Sequence, residues 1–361
     1  MLKIVILAGG TGTRFWPQSR ESTPKQFSKI IADKTMIELT YERFLADFKK
    51  EDIYFSTNQK FAKIIKKIFP KVSKENIIIE PEKRDTAPAM GFVAAYLDNK
   101  FPNDPMVFIP SDHYIADVKK FIQSLKLASK FIEKTGKMMD IAITPNFPST
   151  VLGYTHIGKK SQETNGIKIY EFKGHVEKPD YKTAERYLKA GDYLWHANFY
   201  MWTPKLFLEA YKKYSPIHYK SLAKIKEYLK NKDLKKADDE FKKMPKDSID
   251  YAITEKMDPK DVLIIKGEFG WSDIGAWDVL YDQLSKEQDA SKNMVKAVWE
   301  GLDTTGCLVY GPKDKIIATI GVDDMIIIDT PDALLVCPQS RAQDVKKIVE
   351  SLKAKKKEKY L

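Results

Sequence analysis

The stretch from Ile4 to Phe27, IVILAGGTGTRFWPQSRESTPKQF, constrains the fold more than any other part of the chain. Its apolar, β-branched opening, Ile4 to Ala8, has the length of a buried strand in a parallel sheet. Gly9, Gly10 and Gly12 then allow a tight turn that bares backbone N–H groups, and Arg14 and Lys25 bring two permanent cations to the same loop. A strand end, an anion-binding loop and two cations together suit a polyphosphate.

Other readings of the loop fare worse. A Walker A loop needs a Lys-Ser or Lys-Thr pair after its glycines, and none follows. A dinucleotide fingerprint matches Gly10 and Gly12 but meets Phe15 where a small residue must let the helix approach the strand, which counts against an NAD(P)-dependent oxidoreductase. A ligand-free glycine turn fits the glycines alone but gives no reason for Pro24-Lys25-Gln26.

Leu7-Ala8-Gly9-Gly10-Thr11-Gly12-Thr13-Arg14, with Pro17 and Pro24-Lys25-Gln26-Phe27, resembles the signature of sugar-nucleotide pyrophosphorylases. The Gln26-Phe27 ending is similar to their bacterial mannose-1-phosphate guanylyltransferase branch. The resemblance implies a catalytic role for Arg14 and Lys25 and a nucleotide bound along Leu7, Ala8, Gly9, Gly10, Gly12 and Thr13.

With 361 residues the chain has room for one large α/β domain and a smaller one. No apolar run approaches the roughly 18 to 20 residues of a membrane span, so no membrane is expected as a partner and the expected compartment is the cytoplasm. Cys307 and Cys337 could pair in principle, but they lack metal-ligand spacing and both read as small buried apolar residues. The net charge of +11 comes mostly from lysines between Lys212 and Lys246 and in the tail from Lys353. Because those lysines alternate with acids rather than with arginines and aromatics, they read as solvated helix faces and a frayed terminus, not a nucleic-acid surface. The basic surface would still gather anionic substrates.

Thr35 to Phe48 reads as a helix, Ile53 to Thr57 as a strand, Gln59 to Phe69 as a helix, and Ile77 to Glu80 and Met106 to Pro110 as buried strands. This alternation predicts a Rossmann-like, mostly parallel α/β sheet with ligands beyond the carboxyl ends of its strands. Met138 to Trp202 carries short β-like segments, and Lys212 to Lys243 is helical in composition. Polar Gln283 to Asn293 marks a boundary, giving a nucleotidyltransferase domain over 1–285 and a small β domain over 292–361. In the latter, Val295 to Trp299, Cys307 to Tyr310, Ile316 to Ile320, Met325 to Asp329 and Ala333 to Val336 read as short strands, and Gln343 to Lys353 as a closing helix. The resemblance implies a left-handed β-helix-like module here, serving as a homodimer surface or as a cover over the active site. It reaches nearly the whole chain, since Asp329-Thr330-Pro331-Asp332-Ala333-Leu334-Leu335-Val336 also looks like the family's last module. No His-x-His cluster follows Leu335, so isomerase activity is not expected.

Glu80-Pro81-Glu82-Lys83-Arg84-Asp85-Thr86-Ala87-Pro88-Ala89 could be only a turn and helix start, with Asp85 or Thr86 as N-cap. It also resembles the guanylyltransferase motif E-P-x-x-R-N-T-A-P-A, with Asp85 where Asn is commoner. A carboxylate such as Glu80 can accept from guanine N1–H and the 2-amino group, and Arg84, Asp85, Thr86 and Ala87 would flank the nucleotide. Asp112, after the strand ending at Pro110, and Asp273, in Trp271-Ser272-Asp273-Ile274-Gly275-Ala276-Trp277, are candidate Mg²⁺ ligands, the second in a segment that resembles W-x-D-[IV]-G-x-W. His113 reads as structural. Glu177-Lys178-Pro179 resembles E-K-P, which makes Lys178 a cation for the sugar phosphate and Glu177 a contact for sugar hydroxyls; the plain alternative is a surface pair before a turn.

The sugar side departs from the pattern. Gly153-Tyr154-Thr155-His156-Ile157 stands where G-Y-G-Y-I is usual, and Trp195-His196-Ala197-Asn198 where W-N-S-G or W-N-A-G is usual. Gly153, Tyr154, Asp112, Glu177, Lys178, His196 and Asn198 are thus the candidate sugar-phosphate contacts. Departures confined to one side, with every phosphate-binding charge kept, point to an active enzyme. The resemblance implies that GTP and mannose 1-phosphate give GDP-mannose and pyrophosphate with Mg²⁺. Two alternatives stay open: guanylyl transfer to a different sugar 1-phosphate, and a non-catalytic nucleotide-sugar sensor.

Overall fold

The computed structural model describes residues 1–10 and 12–361; Thr11, a member of the loop signature, lies outside the described residues. The chain packs as two compact units, one of residues 1–9, 41–110 and 115–271, the other of residues 10–40, 111–114 and 272–361.

The first unit is built on a ten-stranded sheet. At its parallel centre Lys3–Leu7 lies between Met106–Pro110 and Ile53–Asn58, with Ile77–Glu80 beyond. Ile4, Val5 and Ile6 are fully buried, as expected of a β-branched run covered on both faces. On the other side Val262–Gly267 runs parallel to Met138–Ile143. Short Met201–Trp202 joins the two parallel sets through antiparallel pairings with Met106–Pro110 and Met138–Ile143. The long hairpin Tyr154–Thr164 and Ile167–Val176 extends the sheet.

The helix Val118–Thr135, which no sequence motif announced, buries Phe121, Leu125, Ala128 and Ile132 at helical spacing. Asp117 caps its start by accepting from the Lys120 N–H at 2.9 Å, and Gly136 ends it in a left-handed conformation at φ 67°. The lysine-rich stretch folds into Pro204–Tyr214, Pro216–Lys230 and Leu234–Phe241, whose buried faces carry Phe207, Tyr211, Leu222, Ile225 and Phe241.

In the second unit, Met294–Lys296, Leu308–Tyr310 and Met325–Thr330 pair in parallel, and Val298–Thr305 pairs in parallel with Ile316–Asp323. Successive windings therefore stack side on side, the construction of a β-helix-like module. Ala333–Pro338 returns antiparallel along Met325–Thr330. Phe15, Trp16, Ile30 and Met36 share one core with Trp277, Leu308, Ile326, Ile328, Leu335, Val345 and Val349.

The expectation of a frayed terminus needs correction. The Tyr360 carbonyl accepts from Trp16 Nε1 at 2.7 Å and from Arg20 Nη1 at 2.5 Å. The tail lysines stay exposed, but two donors hold the backbone they are attached to. Of the two cysteines expected to be buried, Cys307 is and Cys337, on the strand that returns along the module's edge, is only half-buried; both are free thiols.

Candidate active site

Phe15, the residue that disfavoured a dinucleotide fold, explains how residues 10–27 of the glycine loop are held in the second unit. Its fully buried ring meets Trp277 edge-on at 4.8 Å, and Trp277 Nε1 donates to the Trp16 carbonyl at 3.1 Å. Within the second unit, the loop from Gly10 onward and the segment Ser272 to Trp277 are thereby one packed object. Gly12 sits at φ 49°, and a Cβ there would lie 2.6 Å from Lys25 Cβ, so this position requires glycine twice over. Gln26 Nε2 donates to the Gly10 carbonyl at 2.8 Å, and Ser19 Oγ to that of Gly12.

These constraints aim the charges. Lys25, 4% exposed, donates to Asp112 Oδ2 at 3.0 Å and to the Asp273 backbone carbonyl at 2.6 Å. Burial would raise the Asp112 pKa, but Lys25 and His113 outweigh it and hold the group below the usual carboxylate range. Asp273 is raised by burial, with Lys25 lowering it and the Asp112 charge raising it further. Ile274, a β-branched residue at φ 39°, carries backbone strain directly after Asp273. Arg14 Nη1 reaches Gln343 Oε1 at 3.3 Å, and Gln343 Nε2 donates in turn to Asp278.

Two aspartates tied to one lysine fit a divalent cation with oxygen ligands. A Cβ at Gly275 would stand 2.8 Å from Asp273 Oδ2 and 3.5 Å from Arg14 Nη1, so the missing side chain keeps that carboxylate oxygen approachable. Mg²⁺ needs only one or two protein carboxylates, since water and phosphate complete its shell.

In the first unit Glu80 ends its strand 7% exposed, and burial pushes its carboxyl up to about 7, with Lys83 opposing. A Cβ on Gly9 would lie 3.2 Å from Glu80 Oε1, which places this carboxyl against the start of the glycine loop. Asp85, at φ 69°, accepts from the Thr86 N–H at 2.7 Å and so caps the Thr86–Asp98 helix. Arg84 Nη1 donates to the Met244 carbonyl at 2.6 Å, Thr86 Oγ1 accepts from the Ile249 N–H at 2.9 Å, and the Ala87 N–H donates to the Asp247 carbonyl. This motif thus fastens the 244–249 segment as well as presenting Glu80.

The sugar-side candidates do not all converge. Tyr154 is fully buried, and its hydroxyl accepts from the Ser149 N–H at 2.9 Å. His156 stacks on Tyr193 at 4.3 Å and pairs with Asp192 at 3.0 Å. Asn198 is exposed at φ 59°. Gly153, Glu177 and His196 do come together, joined by three residues that sequence reasoning missed: Asp140, His175 and Asp250. The Gly153 carbonyl accepts from the His196 N–H at 2.8 Å, and a Cβ on Gly153 would collide with Glu177 Oε2. His196 Nδ1 pairs with Asp140 Oδ2 at 2.9 Å. Burial would lower the His196 pKa, but Asp140, Asp250 and Glu177 outweigh it and raise the imidazole to about 9. Burial likewise would raise Glu177, but His175 and Lys178 bring it down to about 2. Lys178, at φ 46° and largely exposed, bonds Glu177 Oε1. His175 lies on the inward face of the strand Ile167–Val176, two residues before Glu177, which directly follows the strand's end, and that spacing is a signal that could have revealed it.

Comparison with known proteins follows the same division. A MannoseP isomerase/GMP-like β-helix domain model matches residues 300–352. A mannose-1-phosphate guanylyltransferase of Escherichia coli is 35% identical over 358 residues, 96% of this chain and 75% of that protein. The mannose-1-phosphate guanylyltransferase RfbM of Salmonella typhimurium is 34% identical over 363 residues, 99% of this chain and 73% of that one. A crystal structure from Thermus thermophilus, described as a mannose-1-phosphate geranyltransferase, aligns with a TM-score of 0.85 at 29% identity, covering 98% of this chain and 99% of the other. The Nucleotidyl transferase model spans residues 3–290, taking in the glycine loop, Lys25 and both aspartates, and the chain therefore belongs to that family.

Proposed function

We propose that this protein transfers a guanylyl group from GTP to mannose 1-phosphate, giving GDP-mannose and pyrophosphate. A phosphate oxygen of the sugar phosphate forms the new bond to the α-phosphorus, and the bond from that phosphorus to the β-phosphate bridging oxygen breaks, pyrophosphate leaving with the electron pair. No protein nucleophile is needed, because positioning and charge neutralisation supply the catalysis. The observation that carries the reading is Lys25, buried and bonded to Asp112 and to the Asp273 carbonyl.

In this reading Arg14 and Lys25 neutralise the leaving pyrophosphate, and Lys178 orients the acceptor phosphate. Glu80, once ionised, accepts from guanine N1–H and the 2-amino group, and Glu177 takes sugar hydroxyls. Asp112 and Asp273 would hold Mg²⁺, which when bound screens the repulsion between the two polyanions. The protein acts in the cytoplasm. Its homodimer contact is the β-helix-like unit, where Val298 and Leu302 are exposed in register with Ile316 and Ile320.

The test is pyrophosphate release from GTP and Mg²⁺ with a panel of sugar 1-phosphates, with ATP, UTP, CTP and dTTP as competitors. Turnover with mannose 1-phosphate and GTP is expected. Turnover confined to another sugar would reassign the acceptor, and GTP binding with no pyrophosphate from any acceptor would overturn the enzyme reading.

A further inference from the structure

Inside the first unit lies a histidine and carboxylate cluster that the guanylyl-transfer reading leaves largely unused. His175 has a side chain with no exposure, and neither ring nitrogen has a hydrogen-bond partner among the described residues. Its Nε2 stands 3.5 Å from Glu177 Oε2 and 3.8 Å from Asp250 Oδ1. His196 Nε2, also buried and also without such a partner there, stands 3.8 Å from the same Asp250 oxygen. The donor atoms of His175, Glu177 and Asp250 all fall within 4.8 Å of one another.

Each unpaired nitrogen calls for an explanation, because a buried polar atom left unsatisfied costs about 1–3 kcal/mol. The surrounding groups orient the donors. Asp140 holds His196 by Nδ1, which leaves Nε2 facing Asp250. Lys178 occupies Glu177 Oε1 and leaves Oε2 toward His175. The Tyr200 hydroxyl donates to Asp250. Gly153 clears the approach, since a Cβ there would lie 2.8 Å from His175 Cε1 as well as against Glu177. A carboxylate behind a histidine whose other nitrogen is free is the support that metal-binding imidazoles commonly have.

We propose that His175, Glu177 and Asp250 bind a divalent transition-metal ion of the zinc class, with His196, held by Asp140, bracing the Asp250 carboxylate. Imidazole with carboxylate selects zinc, cobalt, manganese or iron over magnesium, which takes oxygen ligands. Ligand atoms sharing a tetrahedral zinc lie about 3.4 Å apart, so the two His175 separations, 3.5 and 3.8 Å, need to close by about 0.1 to 0.4 Å, and no separation within the group, bounded at 4.8 Å, needs to close by more than about 1.4 Å. The ion would also neutralise carboxylates that otherwise face one another in a buried space. The site shares no residue with the Asp112 and Asp273 pair; it does use Glu177, the carboxylate proposed above for the sugar hydroxyls, so a bound ion would lie beside the acceptor sugar, and its affinity is measured apart from turnover.

Co²⁺ is the probe. Whole protein is stripped with chelator, saturated with Mg²⁺ to fill sites built from oxygen alone, and titrated with Co²⁺ while its visible ligand-field absorption is followed. One Co²⁺ per chain is expected, undiminished in the Asp112→Asn/Asp273→Asn double variant. In His175→Gln the affinity should fall by more than about a hundredfold, and in Asp140→Asn by about tenfold to hundredfold, as for loss of an orienting partner. A band that survives His175→Gln and vanishes in the double aspartate variant overturns the proposal, as does the absence of any band in the unmutated protein. Should His175→Gln fail to fold, histidine resonances decide on the unmutated chain: Zn²⁺ should shift two of the five histidines. Unmoved His175 and His196 resonances would refute the site.

Discussion

Two buried clusters of carboxylates have been settled in opposite ways. Around Asp112 and Asp273 the compensating charge is permanent: Lys25 is buried between them, and Arg14 stands close to Gly275 beside Asp273. Around Glu177, Asp140 and Asp250 it comes mainly from two imidazoles, with one exposed lysine at the edge. The first arrangement keeps its charge at any working pH and suits a polyphosphate substrate. The second leans on His196, whose imidazole is raised to about 9, so its compensating charge is lost as pH rises through that value.

The comparison breaks first at Lys25. Lys25→Ala should lower kcat about a hundredfold, roughly 3 kcal/mol of transition-state stabilisation, measured as pyrophosphate release at saturating GTP and Mg²⁺. An unchanged kcat would mean that the buried lysine only holds the fold together.

The imidazole cluster should show itself in stability. His196 is raised to about 9 from an unfolded value near 6.5. Its contribution is therefore complete below about pH 6.5 and is lost as pH rises through 9, on the order of 3 kcal/mol. Thermal melts of chelator-treated protein should fall across that window, and His196→Asn should flatten the profile. An equal decline in the variant would assign the pH dependence to other groups.

Glu80 supplies a third, smaller contrast, because it is a carboxyl with no cation bonded to it among the described residues. With its pKa near 7, the form able to accept from guanine is about one part in eleven at pH 6 and predominant at pH 8. The KM for GTP should therefore drop about tenfold from pH 6 to pH 8, and Glu80→Gln should abolish that dependence. A KM that rises over this range would remove Glu80 from guanine recognition.

Legibility in the sequence follows the same division. That Lys25, Asp112 and Asp273 belong together was legible because the patterns that marked them, fixed charges next to glycines and strand ends, are local, and the structure does bond the lysine to both aspartates. The parallel strands at Ile4, Ile53, Ile77 and Met106 were legible from their β-branched runs. His175, Asp140 and Asp250 were not, because each is an isolated polar residue given meaning only by the pairing of His175 with Thr155, of His196 with Ala142, and by the turn bearing Asp250. The helix Val118–Thr135 was missed although its periodicity is present, because its lysines dilute the apolar face. Equally hidden was the sorting of residues 10–40 with the β-helix-like unit: the aromatic contact of Phe15 with Trp277 spans most of the chain.

That sorting yields the smallest effect. Gln343, just before the Val345–Ala354 helix, accepts from Arg14 and donates to Asp278, so it sets where the guanidinium rests without touching phosphate itself. The bond is exposed and 3.3 Å long, which bounds its worth at about 0.5–1 kcal/mol. Gln343→Ala should therefore reduce kcat/KM for GTP by about twofold to fivefold, with the pH profiles governed by Glu80 and His196 unchanged. Arg14→Ala in the Gln343→Ala background should cost less than Arg14→Ala alone, since part of the positioning is already gone. Strict additivity of the two substitutions would show that Arg14 is placed by its own packing, and that the β-helix-like unit contributes a surface to the loop but no aim to its cation.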